Sequence, residues 1–339
     1  MITLLMLLQV APPPPPPPPP TQRPAQLTRF LEQSIGLDTA QLAAIERGEP
    51  VAKVLEARDR RDVALFGIIT APRTREAFAR AARDFPAALR TPNRTQLGIF
   101  DTPATERDVA ALAVTSRDAA EMKDCKPGDC VVKLPAAEMQ QIRAQTDWSA
   151  PDLQTQLSVY ARRRLVEYVN AYRARGDSAM VVYDDRGNLT VRSSEAFAAQ
   201  LAESPYVYAN VPSLQQYLSA YPHESLPGAS EIVYWSEDVL PRLRPILSVT
   251  HHVVYTPPEL PGVTLVAAKQ IYANHYFETA IDLSCAVERG SGIYLLVLRR
   301  YRFDNLPGGI LNIRGRAINA LRDQLVLDLK RQQTGEPAR

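Results

Sequence analysis

The 339-residue chain is poor in the residues on which many functions are built. It has 3 cysteines and 4 histidines, too few for a disulfide scaffold or a large metal cluster. Its 15 glycines fall in neither GxGxxG nor GxxxxGK[ST], so the common phosphate cradles are excluded. No apolar run reaches the roughly 18 residues that an ordinary membrane-spanning helix requires. Neither sign of charge is in excess: 39 basic and 37 acidic residues leave a net +2. That removes the electrostatic footprint of a nucleic-acid partner. GxSxG is missing, and Ser248 lies three residues before His251, on the opposite face of a strand, so serine hydrolysis finds no support. What is present is the composition of a folded protein, 45% apolar and 22% charged, with ample material for a buried core.

The chain opens with MITLLMLLQV, residues 1–10, followed by Ala11 and nine prolines, Pro12–Pro20. The apolar run has the length of a signal-peptide core and is too short to span a bilayer. The proline tract is a polyproline II spacer of roughly 28 Å. Together they predict a protein that is periplasmic or otherwise exported, free or tethered to a membrane surface through the N-terminus, the alternative being a cytoplasmic one. Cys125 and Cys130 bracket Lys-Pro-Gly-Asp, and Pro-Gly suits the centre of a type II turn that brings two cysteines within bonding range. Three states of the pair stay open: a disulfide, half of a zinc site, or two free thiols. Cys285 sits in an alternating run and reads as a small core residue.

Helical periodicity is visible over 27–47, Thr74 to Ala88, Val109 to Met122, Ala136 to Gln145, 193–203 and 213–220. It is strongest over Asp152 to Arg175, where Leu153, Leu157, Tyr160, Leu165, Tyr168 and Tyr172 form one stripe. Strands are predicted at Val51 to Leu55, Val63 to Ile69 and Gln96 to Phe100. From Glu231 the period becomes two, giving strands at 231–236, 246–255, 264–273, 275–287 and 292–303. Leu306-Pro307-Gly308-Gly309 ends the sheet, and a last amphipathic helix carries Ile310, Ala317, Ile318, Leu321, Leu325 and Leu329 on one side. Leu321 and Leu325 are expected to lie against the sheet.

Two blocks give these elements a likeness. Residues 61–85 (RDVALFGIITAPRTREAFARAARDF) with TQLGIF at 95–100 resemble the opening of a START-like, or SRPBCC, helix-grip domain. ILSVTHHVVY, VAAKQIYANHYFETAIDLSCAV and YLLVLRRYRFDNLPGG, followed by the long helix, resemble its close. The resemblance covers about two-fifths of the chain and is to a bacterial branch with a helical insertion. It implies an α+β fold in which a curved antiparallel sheet grips a long C-terminal helix. The domain boundaries follow: 1–26 an apolar segment and spacer, 27–135 the N-terminal part of the domain, 136–228 a helical insertion, 229–333 the C-terminal sheet and helix, and 334–339 a tail. It also implies an apolar cavity for a lipid-like molecule, and the small residues Ala267, Ala268, Ala280, Cys285 and Ala286 are compatible with space inside the sheet.

Within such a cavity the predicted ligand-binding residues are His251, Lys269, Tyr272, His275 and Tyr276, polar groups on or beside otherwise apolar strand faces. The competing readings are a structural histidine bonded to a backbone or tyrosine group, and a lysine on the solvated convex face. No catalytic residue, metal or cofactor is implied: His275 and Glu278 fall on opposite faces of a strand, which separates them as ligands of one ion. The expected function is non-enzymatic binding or carriage of an apolar or amphipathic small molecule. The alternatives are a cell-envelope interaction protein with a collapsed cavity and an unidentified protein partner, or an acid–base enzyme on the same fold.

Export predicts that Cys125 and Cys130 are joined. Alkylation of unfolded, unreduced protein should then label Cys285 alone, and labelling of all 3 cysteines would remove the pairing. Breaking the bond should cost on the order of 2 kcal/mol, because the loop it closes is short.

Overall fold

A computed structural model of the chain describes residues 23–185, 189–240, 243–304 and 313–334. The apolar run, the proline tract, Leu306 to Ile310 and the tail after Thr334 lie outside the described residues. The chain enters through α1 (Ala25–Arg29), a π-helical turn (Phe30–Ser34) and α2 (Thr39–Glu46). The helical patterning over 27–47 is divided at Gly36, which has φ 71°. Asp38 restarts the helix through a capping box with Gln41. Then come β1 (Val51–Leu55), β2 (Asp62–Ala71), α3 (Arg75–Arg83) capped by Thr74, α4 (Phe85–Ala88) and β3 (Arg94–Ile99).

The connection from β3 to the next strand of the sheet is long. It holds a 3-10 turn (Glu106–Val109), α5 (Ser116–Met122), α6 (Ala136–Gln145) and α7 (Leu153–Arg175). A small hairpin follows, β4 (Val182–Asp185) with β5 (Leu189–Arg192), then α8 (Ser193–Ala202), α9 (Pro205–Tyr208) and α10 (Pro212–Ala220). The hairpin has no counterpart in the sequence reading, because strands of 4 residues are too short to show a period. An antiparallel meander closes the chain: β6 (Ser230–Asp238), β7 (Ile246–Tyr255), β8 (Val263–Ala273), β9 (Phe277–Arg289) and β10 (Gly292–Phe303), followed by α11 (Ile313–Thr334). The protein is therefore α+β, with one open sheet of 8 strands in the order β1-β2-β10-β9-β8-β7-β6-β3, antiparallel throughout.

Register assigns the faces, since residues directly opposite in an antiparallel pair share a side. One row across the sheet runs Leu65, Arg299, Asp282, Ala268, His252, Ile232. The neighbouring row on the other side runs Ala64, Arg300, Ile281, Lys269, His251, Val233. The first side carries α11, whose Leu325 and Leu329 meet Gly67 so closely that a Cβ there would lie 2.9–3.1 Å from them. These leucines pack with Leu65, Ile69, Leu295 and Val297. The second side carries the long connection. Leu165, Val169 and Tyr172 of α7, Phe197 and Leu201 of α8, and Leu214 and Leu218 of α10 form one core with Val233, Val253, Ala267, Ile281 and Leu283. The segment 136–228 thus shares its core with the sheet, on the face away from α11. α1 and α2 cover the β2–β10 end of that same face through Leu31, Ile45, Phe66 and Tyr294.

Cys125 and Cys130 are bonded, with Cα atoms 4.3 Å apart, and Gly128 at φ 79° supplies the turn. No helix among the described residues is long and apolar enough to cross a membrane.

Leu325 is fully buried, whereas Leu321 is half-buried at the rim of the same cluster. Leu325→Ala should therefore cost about 3 kcal/mol, and Leu325→Asp should abolish folding. Leu321→Asp should be the milder change. Urea midpoints check the order, and an unchanged midpoint for Leu325→Ala would mean that α11 is not docked.

Candidate functional site

Adjacent positions on one strand point to opposite sides of a sheet, and His251 and His252 are separated in this way. The face beneath the long connection holds His251 and Lys269 as register partners on β7 and β8. Lys269 is wholly buried. Its ammonium is bonded to Asp177, donates to the Leu218 carbonyl at 3.1 Å and sits over the Phe197 ring at 3.9 Å. Burial pulls its pKa down, against the pull of Asp177. His251 meets the Tyr172 hydroxyl at 3.0 Å through Nδ1 and the Tyr217 hydroxyl at 3.3 Å through Nε2. Glu231 lies 3.4 Å from Nε2, and the Tyr221 ring packs at 4.5 Å. Burial holds the imidazole below its ordinary pKa despite Glu231. These two side chains share a face, the one away from α11, and α7, α8 and α10 with Asp177 and Glu231 supply their partners.

Tyr272 lies on the same side. Its ring is 5.9 Å from Tyr168 of α7, and its hydroxyl donates to the Lys133 carbonyl at 3.1 Å. His275 and Tyr276 form the β8–β9 turn, apart from the other three. His275 Nε2 is 3.2 Å from Asp118, and Tyr276 Oη accepts from the Arg244 backbone N–H at 2.9 Å. Tyr276 has φ 64°, a left-handed turn conformation that few non-glycine residues adopt. Burial works to raise the Asp118 pKa, but the bonds from His275 and Arg244 outweigh it and hold the carboxyl low. The Asp118 region lines a cavity of ≈ 90 Å³ with Leu112, Met122, Trp235 and Tyr272. A larger one, ≈ 300 Å³, lies at the N-terminal end of β2 and is lined by Val54, Glu56, Asp62 and Arg314. No group of three or more histidine, cysteine, aspartate or glutamate side chains suited to a metal occurs among the described residues.

The α11 side differs in kind. Along β8, Leu265, Ala267, Lys269 and Ile271 are buried, while Val266, Ala268 and Gln270 between them are half-exposed. Asp282 and Ser284 on β9 and Arg299 and Tyr301 on β10 are half-exposed too. These half-exposed positions lie on the face that α11 shares with α3, whose Phe78 packs in the same cluster as Leu325. The charges among them are paired: Arg299 donates to Asp282 at 2.8 Å and to Asp328 of α11 at 2.7 Å. Asp282 keeps 35% of its side-chain surface accessible, yet burial pushes its carboxyl pKa up, against Arg299. Burial also pushes Tyr301 up to about 12. His252 is 6% exposed, with the edges of Phe85 and Tyr234 at 5.6 Å and 6.3 Å. Burial lowers its pKa to about 4, and neither ring nitrogen has a hydrogen-bond partner among the described residues.

The sequence reading passed over this set because polar residues at alternate strand positions read as a solvated face. The available signal was the neighbour: once His251 is inward on one side, His252 must point to the other.

Asp177 is 24% exposed and Lys269 not at all, so breaking the pair is asymmetric. Asp177→Asn leaves a buried ammonium unpaired and should cost about 3 kcal/mol or more at neutral pH. Lys269→Met leaves a carboxylate that water can reach and should cost less. A lysine with its folded pKa below the unfolded value loses protons on folding, so stability rises with pH through that interval. The Asp177→Asn protein should therefore regain stability between neutral pH and the ordinary lysine pKa, as followed by thermal melts. A deficit that does not shrink with rising pH would rule out the unpaired charge as its cause. No protein-family model matches the chain and no curated protein is similar to it.

Proposed function

We propose that the protein is a non-enzymatic carrier of START-like, helix-grip type, binding an apolar or amphipathic small molecule against the α11 side of its sheet. The observation that carries the reading is the alternation along β8, closed on one side and half-open on the other. A half-exposed strip flanked by helices on a large sheet offers a small molecule a place to lie, and that supports the reading. The strand order supports the same reading. β2 is followed by α3–α4, then the meander returns to pair β10 with β2, and α11 lies on the α3–α4 side, which is the helix-grip order. The floor mixes apolar and small groups, Val266, Ala268 and Ala280, with the polar Gln270, Asp282, Ser284 and Arg299, as an amphipathic molecule requires. The disulfide suits an oxidising compartment, and carriage outside the cytoplasm fits it.

Native mass spectrometry of purified protein, followed by solvent extraction, should reveal a co-purifying molecule. Ala268→Trp should fill the floor and reduce binding of a neutral fluorescent probe at least about tenfold, with a melting temperature near that of the wild type. His251→Ala should do the reverse, lowering stability by about 1–3 kcal/mol through its orphaned partners and leaving affinity unchanged in the folded protein. Undiminished probe binding by Ala268→Trp would overturn the assignment of the site.

A further inference from the structure

We infer that the groove selects a neutral hydroxyl-type head group, one that both donates and accepts a hydrogen bond, over a carboxylate or an ammonium of the same chain length. The inference rests on the binding site proposed above and adds the chemical class of its ligand. Two observations carry it, the charge balance of the groove and its unused hydrogen-bonding groups.

Charges on five of the elements around the groove cancel in pairs. Asp282 of β9 is matched by Arg299 of β10, and Asp328 of α11 shares Arg299 and lies 3.5 Å from Arg331. At the other wall Arg94 of β3 makes a two-pronged contact with Asp238 of β6, 3.1 Å on each arm. The guanidiniums of Arg299 and Arg94 are thus already engaged by aspartates, and those aspartates by the guanidiniums. A charged head group would enter a partly desolvated site without a counter-ion or would have to displace an existing partner, and both are costly.

Hydrogen-bonding capacity, by contrast, is left over. Both ring nitrogens of His252 and the Oε1 of Gln270 are buried without partners among the described residues. The Gln270 amide is oriented by its donation to Ser248 Oγ at 3.1 Å. His252 stands beside Ala268 in register and Gln270 beside Thr250, so these groups lie on neighbouring positions of the same half-open floor. Burial keeps His252 neutral near pH 7, and a neutral imidazole offers one donor and one acceptor. A hydroxyl complements that pair, whereas a carboxylate accepts only and an ammonium donates only. Phe85, whose ring edge covers His252, is the side chain that has to move aside.

Displacement of Nile red by dodecanol, dodecanoate and dodecylamine at neutral pH tests this on the full chain. Dodecanol should compete at a concentration about tenfold lower than either charged analogue, the size expected for one satisfied hydrogen bond. His252→Phe should abolish that preference while still binding Nile red. Gln270→Met should narrow it, and serves if the first variant does not fold. Dodecanoate or dodecylamine matching dodecanol on the wild type would overturn the inference, as would an undiminished preference in the folded variants. Failure of Nile red itself to bind the wild type would overturn the groove, a distinct result reached before any head groups are compared.

Discussion

Covering both faces of a wide sheet is the constraint from which this structure follows. Eight strands at about 4.8 Å spacing make a surface some 35–40 Å across, and a helix with its side chains covers only about 10 Å of it. The face beneath the long connection receives α7, α8 and α10 together with α1 and α2, and is closed. The opposite face receives α11 over the β1–β2 edge and the short α3 and α4 towards β7–β9. Those helices leave Ala268 and Gln270 of β8, Asp282 and Ser284 of β9, and Arg299 and Tyr301 of β10 half-exposed. The half-open floor is thus a geometric consequence of how helices are shared between the two sides.

The closed face is filled even where its residues are polar. Lys269 and His251 are enclosed with Asp177, Glu231, Tyr172 and Tyr217, and such pairs return little net stability once desolvation is counted. They make the packing of the connection on the sheet discriminating. A one-residue slip of β8 would send Lys269 to the α11 side, away from Asp177 and the Phe197 ring. Gly98 works in the same direction, since a Cβ there would collide with the Trp235 indole and the Asp108 carbonyl, fixing the approach of the 3-10 turn to β3.

Much of the sheet was legible because period-two alternation survives in long strands. The reading over 231–303 falls on β6 to β10 within a few residues, and Val51 to Leu55 coincides with β1. The amphipathic pattern of α11 identified Leu325 and Leu329 for the same reason. What could not be read was which face met which layer. Alternation shows that His251 and Lys269 share a side with Val253, Ala267 and Ile271, but not whether α11 or α7 lies over them. That choice is made by residues distant in sequence: Gly67, which admits Leu325 and Leu329, and Asp177, which meets Lys269. His275 was placed on a strand although it precedes β9, because the left-handed Tyr276 interrupts an otherwise continuous alternating pattern. Short elements also escaped, β4 and β5 by their length and the start of α5 because Thr115 caps a helix that periodicity alone extends back to Val109.

The state of the polar groups on the open floor bears on what it can do chemically. A general base needs an unengaged group with a pKa near the working pH, and a nucleophile needs a base beside it. Asp282 is tied to Arg299, and Asp328 is held by Arg299, Arg331 and Gln324. Tyr301 is pushed up to about 12, and His252 down to about 4 with no acid or base bonded to it. None of these is poised for proton transfer near neutrality. Cys285, the cysteine outside the disulfide, faces the closed side, and burial pushes its thiol up to about 12, so it remains protonated and unreactive. The half-open floor therefore combines paired charges with a neutral imidazole and an amide oxygen that has no partner among the described residues.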